Sequence, residues 1–300
     1  MKVKNKQDES KNFSHYKRLV YIAIAIMALL IFTGFFLNYH PNQASQPKAA
    51  IIDQLSSSEL TETSRFPNQT FIETAKEMLY RRFPEVDYYS DNATVDQYES
   101  LSSSSYELIV WRAHSALNLE KEYIAISTSE KYDSTKYNQY SADQLTLCNI
   151  TYDDPELYFA ITPTFVEECM SGRFEDTVII FMSCNGLKQR YTKTAEAFVE
   201  KGVRAWISWD EWIYASDNDQ AITLLLDYLI NKNNTISEAV HKIDSYSSLL
   251  YGLPSTLRYY PRQAADYYIP DYNSDNIGNN AGLAVIGIFL RTKWRSRDTS

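Results

Sequence analysis

Apolar runs closed by short polar breaks recur along this chain, and they read as buried strands of an α/β sheet. Thr177-Val178-Ile179-Ile180-Phe181-Met182 stops abruptly at Ser183-Cys184-Asn185-Gly186, the pattern of a strand covered on both faces. Amphipathic spacing then predicts a helix over 192–201, closed by Gly202, a residue type that ends helices in the left-handed conformation. A second apolar run follows, Val203-Arg204-Ala205-Trp206-Ile207-Ser208. Strand, turn, helix and strand make a βαβ unit, whose ligands bind beyond the carboxyl ends of the strands. Tyr106-Glu107-Leu108-Ile109-Val110-Trp111-Arg112 is another buried-type run, ending in Ala113-His114-Ser115.

Weaker patterns fill in the rest. Phe71, Ala75, Met78 and Leu79 have helical spacing up to Arg82, and Pro84 stops that helix. Strands are expected at 85–89, 122–128 and 157–163, with short helical pieces at 95–101 and 164–170. Residues 131–153 read as a polar, Tyr-rich surface excursion. Ala221, Leu224, Leu225, Tyr228 and Leu229 line one face of a helix over 220–231. Thr235-Ile236-Ser237-Glu238 is a capping box that opens a helix expected to reach about 250, and 282–290 reads as a closing strand followed by a basic tail. The expected fold is therefore α/β: a mainly parallel sheet flanked by helices in three layers. No repeat, phosphate-binding glycine loop or metal-spaced Cys/His cluster is present, so neither a metal nor a cofactor is expected.

The first forty residues change the picture. Residues 19–37 form an apolar stretch without charge, long enough to cross a bilayer core of about 30 Å. Lys2, Lys4, Lys6, Lys11, Lys17 and Arg18 precede it, while the flank after it is almost uncharged until Lys48. Positive charge stays on the cytoplasmic side. The expected organisation is a cytoplasmic basic tail (1–18), a single transmembrane anchor (19–37), a Ser/Gln/Pro-rich linker (38–68) and an extracytoplasmic domain (69–300, core about 85–251). A cleaved signal peptide is the rival reading, but Phe35-Phe36-Leu37-Asn38-Tyr39 offers no small-x-small site. Outside the cell, the Asn-x-Thr triplets at Asn68, Asn92, Asn149 and Asn233 become acceptors for glycosylation where the host has the machinery. The net charge of −9 argues against nucleic acid as a partner.

Chemistry narrows to two strand ends. Of four histidines only His114 ends a core strand, and of three cysteines Cys184 does the same. Cys148 and Cys169 are candidates for a disulfide in an oxidising exterior, although spacing alone does not fix connectivity. A lone cysteine is as readily a small buried hydrophobe, and a lone histidine as readily a solvated one. If the two strands are neighbours, the two side chains come within reach as a nucleophile and its base.

The order strand-His, insertion, strand-Cys, helix, strand resembles the caspase-like clan of cysteine peptidases, which includes caspases, legumains, clostripains and gingipains. The residues that carry the resemblance are Ala113-His114-Ser115, Ser183-Cys184-Asn185-Gly186 and the segment from Thr194 through Lys201-Gly202-Val203 to Ile207, over about 86–231. The chain looks like a divergent prokaryotic member. In the clan the histidine follows one buried strand and the cysteine the adjacent one. The resemblance implies Cys184 as nucleophile, His114 as its acid/base partner, and the main-chain N–H groups of Ser115 and Cys184 as an oxyanion hole. Ser115 stands where the clan usually has glycine, and the His-to-Cys separation is longer than usual. The strand after the nucleophile helps line the clan's primary specificity pocket, which here points to Ser208, Trp209, Asp210 and Glu211 and to cleavage after a basic residue. The expected function is a membrane-anchored endopeptidase acting on peptides or proteins. The alternatives are a non-catalytic surface binding or sensor module, and an enzyme using the same pair on another acyl substrate.

Overall fold

A computed structural model describes residues 46–150, 155–247 and 252–272, together with Met27. The chain divides into Met1–Ser45 and Gln46–Ser300, and every element below belongs to the second unit. Its centre is a six-stranded sheet, built from β1 (Lys48–Asp53), β2 (Glu85–Tyr89), β3 (Tyr106–Arg112), β8 (Val178–Met182), β9 (Ala205–Trp209) and β12 (Leu257–Tyr260). Their spatial order is β2-β1-β3-β8-β9-β12. All neighbours run parallel except β12, which closes the edge antiparallel to β9.

The period-two alternation of the central strands feeds two separate cores. Ile51, Leu108, Val110, Ile180, Ile207 and Trp209 face α1 (Gln69–Leu79), α5 (Ala215–Leu226) and α6 (Ile236–His241). Ile52, Ile109, Trp111, Ile179, Phe181 and Trp206 face α2 (Val95–Ser100), α3 (Pro163–Glu168) and α4 (Lys193–Glu200). The expected mainly parallel sheet flanked by helices is thus the observed architecture. A smaller antiparallel sheet leaves the end of β3 as β4 (Ser115–Asn118), β5 (Tyr123–Lys131), β7 (Tyr158–Ile161) and β6 (Leu145–Cys148), in the order β4-β5-β7-β6. A two-stranded ribbon pairs β10 (Tyr246–Ser247) with β11 (Pro254–Ser255).

Several expectations change. The linker expected over 38–68 does not extend through 48–68. Residues Lys48–Asp53 are β1, paired on both sides, and Leu55, Leu60 and Ser64 after it are buried. Its apolar run Ala49-Ala50-Ile51-Ile52 is short and half alanine, a residue depleted in strands, so only its two partners reveal it. Part of the excursion at 131–153 is also structural: it contains β6, and Tyr137 and Tyr140 stand edge-on or tilted against Phe159 and Phe165. The capping box at Thr235 is formed, but its helix ends at His241. Gly202 adopts φ +110°, and a Cβ there would stand 2.2 Å from the Phe174 carbonyl oxygen, so no larger residue fits. The expected transmembrane stretch 19–37, apart from Met27, and the closing strand 282–290 lie outside the described residues. Among the described residues no helix is long and apolar enough to cross a membrane.

A buried charge cluster ties this sheet to a helix on one face. Arg112 at the end of β3 is 1 % exposed. It meets Asp219 of α5 through two parallel hydrogen bonds, Nε to Oδ1 at 2.7 Å and Nη2 to Oδ2 at 2.8 Å. Its Nη1 donates to Oδ1 of Asp53, at the end of β1, at 2.9 Å. Burial alone would lower the guanidinium pKa, but the two carboxylates outweigh it and hold it above the ordinary value. Asn68 Nδ2 adds a hydrogen bond to Asp219 Oδ2 at 2.9 Å while its Oδ1 caps α1, so this expected glycosylation acceptor is committed to the fold. Arg112→Met would strand two carboxylates in the interior, and we expect it to cost about 3–5 kcal/mol in urea denaturation. A loss below about 1 kcal/mol would mean that water solvates these carboxylates.

Candidate active site

β3 and β8 are parallel neighbours with Arg112 in register with Met182. His114 and Cys184 each lie two residues beyond that pair, at the same end of adjacent strands. The two turns are tied directly: Ser115 Oγ donates to the Cys184 carbonyl at 2.6 Å.

His114 is held by parts of the chain remote in sequence. Its Nε2 lies 2.9 Å from the Ser64 carbonyl oxygen. A carbonyl only accepts, so Nε2 carries a hydrogen and donates it. The Phe66 ring stands edge-on to the imidazole at 5.8 Å between centroids. The main-chain N–H of His114 donates to Gln54 Oε1 at 3.0 Å, while Gln54 Nε2 donates to the Thr128 carbonyl at 3.1 Å. Gln54 is completely buried, and its amide bridges the end of β3 to β5.

The geometry after His114 orients Ser115 as well. Ser127 N–H donates to the His114 carbonyl at 3.1 Å, and Ser115 is opposite Ile126 in the antiparallel ladder. Antiparallel pairs alternate between hydrogen-bonded and non-bonded, so Ser115 is at a non-bonded position. Its N–H therefore points away from β5.

Cys184 is half-buried, under the segment that follows β9. The Ile213 N–H donates to Sγ at 3.5 Å, and the thiol faces the Ile213 carbonyl at the same distance. Asn185 N–H to the Glu211 carbonyl (3.1 Å) and Leu187 N–H to the Trp209 carbonyl (2.9 Å) extend this pairing. Burial pushes the Cys184 thiol above its ordinary value, and the contacts with main-chain groups offset this only in part. The turn is tight: Asn185 sits at φ +59°, and a Cβ on Gly186 would come within 2.0 Å of Ser208 Oγ. The side-chain oxygens of Ser183 and Asn185, on either side of the cysteine, are buried without a hydrogen-bond partner.

The four expected pocket residues do not open onto this site as a group. Ser208 and Trp209 are completely buried, donating to the Phe181 carbonyl (2.7 Å) and Asn218 Oδ1 (2.8 Å). Asp210 accepts from Thr256 N–H at 2.7 Å and from Arg258 Nε at 3.0 Å, one on each oxygen. Glu211 is paired with Lys188. Cys148, Cys169 and Cys184 are all free thiols, so the disulfide considered between Cys148 and Cys169 is not formed. Burial raises Cys148 to about 11. Among the described residues no group of three or more His, Cys, Asp or Glu is placed to hold a metal ion. Open cavities of about 420 and 470 Å³ are lined by other residues, including Lys193 and Glu196 in the first and Arg258 and Arg262 in the second.

Two parts of the site escape a reading of the sequence. The Ser64 carbonyl has no side-chain signature, and Gln54 falls in the stretch read as linker. The buried Arg112–Asp53–Asp219 cluster beneath the site left one signal: an arginine ending the apolar run Ile109-Val110-Trp111 requires a carboxylate partner.

No family model and no curated protein matches this chain.

The raised thiol sets the expected reactivity of the substrate-free protein. A higher pKa means less thiolate at neutral pH, so Cys184 should react with iodoacetamide more slowly than a free thiol at pH 7.5. The rate should climb about tenfold per pH unit through the alkaline range, as read by mass mapping of the labelled peptide. A fast, flat profile from pH 6 to 8 would mean that the resting site already holds a thiolate.

Proposed function

We propose that this protein is a cysteine endopeptidase of caspase-like type, working through His114 and Cys184. The observation that carries the reading is the register of β3 against β8, which sets both residues at one end of adjacent parallel strands, their turns joined by Ser115 and Cys184. The reading places the domain outside the cell, anchored through residues 19–37.

In this reading Ser64 holds Nε2, and Nδ1 is the nitrogen that exchanges protons with the cysteine. As a peptide binds, His114 Nδ1 takes the Cys184 proton, and Sγ attacks the scissile carbonyl carbon. The N–H groups of Ser115 and Cys184 receive the developing oxyanion. Collapse breaks the C–N bond, His114 hands its proton to the leaving amine, and an acyl thioester remains on Cys184. Water then attacks the thioester, giving a proton to the imidazole, and the acid leaves with the thiol restored. The Ser64 carbonyl, 2.9 Å from Nε2, favours the imidazolium formed midway.

A second reading, a non-catalytic surface module, is favoured by one feature: the Cys184 thiol is neutral and overlain by the Ile213 main chain. Incubating the full-length protein with a mixed peptide library separates the two. The expected result is new peptide ends that vanish in Cys184→Ala and fall about 10²–10⁴-fold in His114→Ala. Products unchanged in Cys184→Ala, or none from the native protein, would refute the peptidase reading.

A further inference from the structure

The surroundings of the pair speak to the substrate, on the premise of the peptidase reading above. A peptidase that cuts after lysine or arginine offers the incoming cation a carboxylate that nothing else neutralises. The two carboxylates on the segment beside Cys184 are not of that kind. Asp210 uses one oxygen on the Thr256 N–H and the other on Arg258. Glu211 is held by Lys188, with both side chains about three-quarters buried. A substrate cation would have to displace a cation tethered to the same fold, and it would lose its own hydration on entry. Ser208 and Trp209 behind them are sealed, and Ser208 Oγ occupies the space against Gly186.

Among the residues these segments expose, three are aromatic. Trp212 and Tyr214 flank Ile213, whose main chain touches Sγ, and they are 38 % and 41 % exposed. On the histidine side Phe66, 40 % exposed, lies edge-on to the His114 ring and two residues from the carbonyl that holds it. These three large apolar side chains sit on the segments that grip the base and the nucleophile. We infer that the site selects a peptide with an aromatic or branched aliphatic side chain beside the scissile bond, and not a basic one.

The test uses the full-length protein and two peptidyl acyloxymethyl ketones that differ only in phenylalanine or lysine next to the reactive carbon. Attachment to Cys184 is read by mass spectrometry, so turnover is not needed. The phenylalanine probe is expected to label Cys184 at least about tenfold faster, with Trp212→Ala narrowing that ratio. Arg258→Ala, which frees Asp210, should raise the rate of the lysine probe. Faster labelling by the lysine probe in the native protein would overturn this inference and leave the peptidase reading standing. Labelling by neither probe, in a protein whose Cys184 still reacts with iodoacetamide, would overturn both.

Discussion

The fold turns on one buried cation. Arg112 bonds Asp53 from β1 and Asp219 from α5, joining two central strands to a helix on one face of the sheet. Two carboxylates and one guanidinium are taken out of water together, which is tolerable only because the Asp219 contact is bidentate and Asn68 satisfies one more lone pair. Such a cluster is poor value as a source of stability compared with apolar packing, but it is intolerant of misregister. A one-residue slip of β1 or β3 would turn Asp53 or Arg112 to the opposite face, among the aromatic side chains there. His114 follows two residues after this anchor and inherits its precision.

Main-chain groups do most of the positioning at the site. Ser64 supplies a carbonyl to the imidazole, and Ile213 brackets the cysteine sulfur. Two side chains matter as well: the Gln54 amide holds the His114 N–H, and the Ser115 hydroxyl joins the two turns while its N–H points away from β5. The Ser115 side chain thus adds a tie between the two turns and leaves its N–H free of the β5 ladder. The cost falls on the cysteine side: a left-handed Asn185, a Gly186 packed against Ser208, and two side-chain oxygens buried without partners. A left-handed residue, a close-packed glycine and unmet polar atoms are thus gathered around one residue.

The tyrosines have a physical account as well. Tyr106, Tyr137 and Tyr140 bury ring surface while their hydroxyls donate to Asp87, Glu130 and Glu99. Burial, and then the carboxylate beside it, lifts Tyr140 to about 12, so it stays a donor across the physiological range. A chain rich in acids and tyrosines can therefore anchor irregular segments to its core by pairing the two.

What the sequence determined by itself was local. Apolar runs long enough to be buried on both faces announced β3, β8 and β9, the capping box announced α6, and the polar breaks after β3 and β8 singled out His114 and Cys184. These signals depend only on neighbours a few residues away. Tertiary structure decided everything that needed a distant partner. β1 was hidden because Ala49-Ala50-Ile51-Ile52 is a strand only between β2 and β3. The acids at Asp210 and Glu211 looked available until folding brought Arg258 and Lys188 to them. The Nε2 of His114 is held by a carbonyl 50 residues away. Hydrogen bonds and ion pairs to remote groups leave no periodicity in the chain, and it is these long-range contacts that turn two strand ends into a site.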